Sequence, residues 1–174
     1  MKKIVLRYGI YSTIFIIALM SVFFFLVRNL NYDKQEVAGY LSMLVSMVFV
    51  FFGIKHYRNE KNNGFLTFGQ GLKVGVLIVL FPSVCFGLFD VLYTSVLNPH
   101  WMSDYTNYYL THFKQSLPTA EFEVKKRQLE ASMKLFSNPL MQFFIMFITV
   151  FIIGFIVTII SALALRRKPA VAIA

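Results

Sequence analysis

"GIKHYRNEKNNGFLTFGQGLKVG", residues 53–75, separates two long apolar runs and shares the character of neither. Its first half carries Lys55, Arg58 and Lys61 against the single acid Glu60, and four glycines fall between Gly64 and Gly75. The stretch reads as a turn between two membrane-crossing helices. Its cations favour the headgroup region, and Asn62-Asn63-Gly64 is a turn signal because Asn and Gly tolerate left-handed backbone. Phe65, Leu66 and Phe68 then return the chain to the interface before Lys73, whose amine reaches water along its aliphatic stem.

The rest of the chain fits a membrane protein. Of 174 residues, 57% are hydrophobic and only 14% charged, outside the range of soluble domains. Runs such as Phe23-Phe24-Phe25 are too apolar for a small aqueous core to hide. The lone cysteine, Cys85, excludes an internal disulfide and lies in an apolar segment, the setting of a core residue rather than a reactive thiol.

Four stretches are expected to span: about 8–27, 37–54, 72–97 and 140–165. The first follows Met-Lys-Lys but is too long for a signal peptide and lacks an Ala-x-Ala site before Arg28, so it is read as a retained span. The fourth is announced by Asn138-Pro139, a capping residue and a proline at the first helical position, and closed by Arg166-Arg167-Lys168. The expected fold is all-α: an integral membrane four-helix bundle forming a single domain over 1–174, with a cytoplasmic loop at 55–71 and a helical extracytoplasmic loop at 98–138.

Charge gives the direction. One side holds ten cations, Lys2, Lys3, Arg7, Lys55, Arg58, Lys61, Lys73, Arg166, Arg167 and Lys168, against Glu60 alone. The other holds seven cations against six acids. Because positive flanks stay inside, both termini and the 55–71 loop are expected in the cytoplasm. Lys55, Arg58, Lys61, Lys73, Arg166, Arg167 and Lys168 sit beside span ends, where anionic lipid headgroups, rather than nucleic acid, are the nearest partner.

Small residues cluster on helix faces. Gly71 and Gly75 form a small-xxx-small pair, and Ser83, Gly87, Asp90 and Thr94 fall within about 60° of one another further along the same helix. Gly39, Ser42, Ser46 and Gly53 occupy a similar sector of about 60° on the second span. The fourth offers Gly154, Thr158 and Ser161. These are the expected contact faces, serving the chain's own packing, a homo-oligomer or a membrane-complex partner, with Phe, Ile, Leu and Val left for lipid.

The opening stretch also resembles a known family. Gly53-Ile54-Lys55, Tyr57-Arg58, Gly64-Phe65, Phe68-Gly69-Gln70 and Lys73-Val74-Gly75 are similar to the central signature of domain-of-unknown-function family 4199, small bacterial membrane proteins. The likeness extends to length, four spans and a long loop before the last, over about residues 4 to 168. It implies a bacterial cytoplasmic-membrane location and supplies no catalytic residue.

Candidate chemistry is sparse. Asp90 is the one acid within an expected span and a candidate ion or proton site. Equally, about 10 Å of helix separates it from Leu97, so it can reach interfacial water or pair with Arg28 or Lys34. Pro82 is a candidate hinge, since proline removes a helical hydrogen bond. Trp101, Tyr105, Tyr108, Tyr109 and His112 form a helical stripe suited to the interface, with Ser103 or Asp104 as its cap. Residues 119–137 read as an amphipathic helix with Glu123/Arg127, Lys126/Glu130 and Glu130/Lys134 pairs, placed to cover the outer face, bind a partner or rest on lipid. His100, Asp104 and His112 match no strong metal motif, and no phosphate loop or nucleophile elbow occurs. Neither cofactor nor catalysis is expected. The reading is a non-enzymatic module acting by helix association, with a small transporter or channel subunit using Asp90 as the alternative.

Overall fold

The computed structural model describes the backbone of residues 1–26 and 30–167, and the side chains of the same residues except 23–26. In chain order it contains α1 (Lys2–Leu26), α2 (Tyr32–Ser46), α3 (Val48–Lys61), α4 (Phe68–Leu92), a π-helical turn (Tyr93–Leu97), α5 (Trp101–Ser116), α6 (Thr119–Phe136) and α7 (Pro139–Ala164). Among the described residues there is no strand, only an isolated antiparallel bridge between Leu66 and Arg167. Four helical segments are long and apolar enough to cross a membrane: Lys2–Val22, Tyr32–Lys61, Phe68–Leu97 and Pro139–Ala164.

Local chemistry sets the helix ends. Asn138 accepts hydrogen bonds from the Leu140 and Met141 amides at 2.9 and 3.3 Å, with Pro139 at the first helical position. At α4, Thr67 and Gln70 form a reciprocal capping box: the Gln70 amide donates to Thr67 Oγ1 and the Thr67 amide to Gln70 Oε1. The loop before it is therefore shorter than the expected 55–71, because α3 continues through Lys61 and α4 begins at Phe68. Helices need not stop where hydrocarbon does; Lys, Arg and Glu are good helix formers. The turn itself sits at Asn63 and Gly64, both with positive φ (51° and 81°).

The second apolar segment is broken at Met47, where neither Gly nor Pro marks it. The Val50 amide donates to Met47 O instead of one residue further back, and the carbonyl of Ser46 accepts the Ser12 hydroxyl of α1 at 2.9 Å. A carbonyl without an amide partner is costly away from water, so this cross-helix bond repairs the break. α4, by contrast, is helical straight through the buried Pro82.

α4 lies at the centre. It packs along α7 and α1, while α3 touches α1, α4 and α7. Ile16, Met47, Val50, Ile54, Ile78, Val79 and Val150 make the shared core. Close approach is bought with small residues. A Cβ added at Gly71 would lie 2.9 Å from Ala162 Cβ, at Gly87 2.9 Å from Phe143 O, and at Gly154 2.7 Å from a Val79 methyl. At Gly75 and Gly53 it would press on Thr158 and on Ile78. Gly39 differs, with nothing within 4 Å of such a Cβ, so this glycine carries no close contact within the described chain. On the far side of α7, Phe144, Ile148, Ile152, Ile156 and Ile160 recur every fourth residue and are exposed.

α5 and α6 pack together as a helical hairpin turned at Leu117-Pro118, and α6 also touches α7. The α5 stripe does not lie free at the interface: Tyr105 and Tyr108 pack on Tyr32 of α2 with ring centroids 5.5 and 5.1 Å away. Neither Ser103 nor Asp104 caps α5, which begins earlier, after His100; Ser103 Oγ instead donates back to His100 O. Of the expected α6 charge pairs none closes within 4.0 Å among the described residues, and Arg127 Nε donates to the Glu123 carbonyl. Exposed long side chains gain too little from pairing to be held in one geometry.

Candidate functional site

Asp90 sits near the C-terminal end of α4, and its partner comes from 52 residues away. Gln142, on the second turn of α7 and only 2% exposed, donates through Nε2 to Asp90 Oδ2 at 2.7 Å and to Thr94 Oγ1 at 2.8 Å. Thr94 in turn donates to the Asp90 carbonyl at 3.2 Å. Both amide hydrogens of Gln142 are thus accounted for, and one carboxylate oxygen is fixed.

The π turn follows directly. The Asn98 amide donates to Tyr93 O at 2.7 Å, five residues back, and Asn98 Nδ2 donates to Tyr93 Oη at 3.2 Å. Such an inserted residue shifts the face that a helix presents, and π turns recur at functional sites. Of the cations expected near Asp90, Lys34 is exposed and makes no ion pair with it, and Arg28 lies outside the described residues.

A carboxylate held this way can bind a proton or a cation at the membrane boundary. It has no polar continuation inward among the described residues. Below it, between α4 and α7, come Phe86, Phe143, Val150 and Val79. The deeper hydroxyls are engaged: Ser42 with Ala38 O, Ser46 with Met43 O, Ser83 with Val79 O, Thr158 with Gly154 O, and Ser12 as above. Thr13 Oγ1 is buried without a partner among the described residues.

The opposite, basic end is built differently. Lys55 and Lys73 are exposed. Arg58, expected among the lipid-facing cations, is 9% exposed, Nη1 reaching Leu165 O at 3.4 Å and Nε donating to Asn59 Oδ1 at 2.9 Å. Because α3 stays helical, Arg58 turns inward to the carbonyl end of α7, where a cation and donor are favoured. Glu60, the one acid here, pairs with His56 Nε2 at 3.0 Å, while Tyr8 Oη lies 3.3 Å from His56 Nδ1. Lys61, Arg166 and Arg167 line a cleft of about 700 Å³ between the α3–α4 turn and the segment after α7. Lys168 lies outside the described residues.

A family model described as "Protein of unknown function (DUF4199)" matches residues 7–167. The chain belongs to this family. The match takes in the Asp90 cluster, the basic cleft and all four apolar segments, lacking only the first few residues of the first segment. Comparison with curated proteins and with solved structures returns no match.

Sequence reasoning missed Gln142, although an amide in an otherwise apolar span was the signal. It also missed Asp33. The Tyr109 hydroxyl donates to Asp33 Oδ1 at 2.6 Å and the Tyr108 hydroxyl to Oδ2 at 3.3 Å, tying α5 to the start of α2. Burial, and then the bond to Asp33, push the Tyr109 phenol well above its ordinary value of 10.0. Burial, with Glu36 nearby, raises Tyr105 as well.

Proposed function

We propose that this protein is a non-enzymatic, multi-pass module of the bacterial cytoplasmic membrane, with both termini cytoplasmic, that works by associating with another membrane component or with its own copies. The observation that supports this most is the close packing inside: the small faces of α4 and α7 close on each other, and the hydroxyls of Ser12, Ser83 and Thr158 donate to backbone carbonyls. What the chain offers a partner is then its outside, the exposed Ile and Phe ladder of α7 and the charged face of α6. Orientation rests on the cations crowded at the basic end.

Extraction of the native membrane directly into lipid nanodiscs tests it, by the mass and composition of the particle. A reproducible second component or a fixed copy number above one supports association; solitary chains contradict it.

A second reading has one observation in its favour, the Asp90–Gln142–Thr94 cluster beside a π turn. If it serves ion or proton movement, reconstituted protein conducts a pH- or cation-dependent flux that Asp90→Asn abolishes. Flux unchanged in that variant removes Asp90 from the mechanism.

A further inference from the structure

The cleft at the basic end has walls that cannot easily part. Leu66 and Arg167 exchange both backbone hydrogen bonds, each at 3.0 Å, which pins the segment after α7 to the α3–α4 turn. The turn is braced from within: Asn62 Nδ2 donates to Phe65 O at 2.7 Å and to Gln70 Oε1 at 3.0 Å, and the Gly64 amide donates to Arg58 O at 2.9 Å. The space is therefore a feature of the fold and not the gap beside a loose loop.

Its charge is unbalanced. Lys61, Arg166 and Arg167 line it, no acid does, and none of the three lies within 4.0 Å of a carboxylate among the described residues. Glu60, the nearest acid in sequence, is occupied by His56. Three cations gathered on one concave surface repel one another, and an anion between them removes that repulsion while accepting charge-assisted hydrogen bonds. Compact anions with several oxygens suit two guanidinium groups and an ammonium best, and a phosphate is the commonest such group.

Beside the polar groups of Asn62, Asn63, Thr67 and Gln70, the lining includes Phe65, Leu66 and Phe68, where α4 and α7 leave their apolar stretches. An aqueous anion has no use for aromatic walls. An amphiphile has.

We infer that this cleft is a binding site for a single phosphate group, that of an anionic phospholipid whose upper chains lie against Phe65 and Phe68. Beyond the diffuse attraction of basic flanks for a negative surface, it is a place with a stoichiometry, and it holds whether or not the protein associates with others. Arg58, turned inward to α7, is not part of it.

Native mass spectrometry of the full-length protein released from zwitterionic nanodiscs doped with a minority of phosphatidylglycerol tests the site. Three proteins are compared: wild type, the triple variant Lys61→Gln/Arg166→Gln/Arg167→Gln, and a control with Lys114→Gln/Lys125→Gln/Lys134→Gln on the hairpin. Wild type and control should each retain one anionic lipid. The first triple variant should bind it roughly a hundred-fold more weakly, from about five-fold per cation removed, and Lys61→Gln alone should show the single-cation step. Thermal melting of the same samples shows that the variants are folded. Equal retention by all three overturns the site. Inorganic phosphate titrated into purely zwitterionic nanodiscs separates the sources: saturable capture by wild type and not by the triple variant keeps the phosphate site but assigns it to a soluble ligand, while no capture assigns it to lipid.

Discussion

Replacing glycine by alanine at two positions should give opposite results, because the structure puts one against a neighbour and the other against open space. At Gly75 a methyl group would press on the Thr158 side chain, 2.8 Å from its Oγ1, and lie 3.0 Å from Ile54 Cδ1. The Ile54 end can swing away. Thr158 has less freedom: it is fully buried on α7 and its hydroxyl donates to Gly154 O at 2.8 Å, so turning the side chain sacrifices that bond. At Gly39 nothing lies within 4 Å. Both substitutions gain the same helix-propensity term, up to about 1 kcal/mol, so it cancels in the comparison. The difference is the overpacking cost, about 1–3 kcal/mol, with Gly39→Ala at or above wild-type stability. Unfolding by SDS in mixed micelles, followed by far-UV circular dichroism, measures both. Gly75→Ala equal to or more stable than Gly39→Ala would refute the close α4–α7 approach.

Gln142→Leu should destabilise by about 1–3 kcal/mol or more, since it strips the amide from a half-buried carboxylate, and the additional change Asp90→Leu should recover part of the loss in the same assay. Arg58→Met should fray the basic end, read as faster amide exchange at Leu165 and Arg167, with exchange at the hairpin unchanged. Tyr109 should titrate above the ordinary tyrosine value in an alkaline absorbance titration. Its raised value means that the tie to Asp33 contributes fully below about pH 10, the unfolded tyrosine value, and is lost as pH rises through the folded value; Tyr109→Phe removes the late step.

Much of the fold was legible because hydrocarbon imposes length and apolarity on whatever crosses it. The apolar runs mark the four long helical segments, and Asn138-Pro139 marks where α7 starts. Boundaries at the basic end were not legible: Lys55 to Lys61 is polar enough to look like loop, yet its residues favour helix, and only the continued helix turns Arg58 inward. The break at Met47 has no local sign, because what permits it is a serine on another helix. Long-range partners were hidden for the same reason. Asp90 stands out as a lone acid, but nothing near it in sequence names Gln142; likewise the aromatic stripe of α5 is evident, and its seat on Tyr32 and Asp33 is not.

The most direct measurement asks whose helix fills the small-residue face of α4. In a Cys85→Ser background, Gly71→Cys and Ala162→Cys place two thiols on carbons that approach within 2.9 Å, so a small separation reaches disulfide spacing. Oxidised in native membranes with copper phenanthroline, the double variant should form a bond within one chain and keep the mass of a monomer, while either single variant stays unlinked. Covalent dimers as the main product would mean that the face belongs to a neighbouring copy and that the interior is not filled by the chain itself.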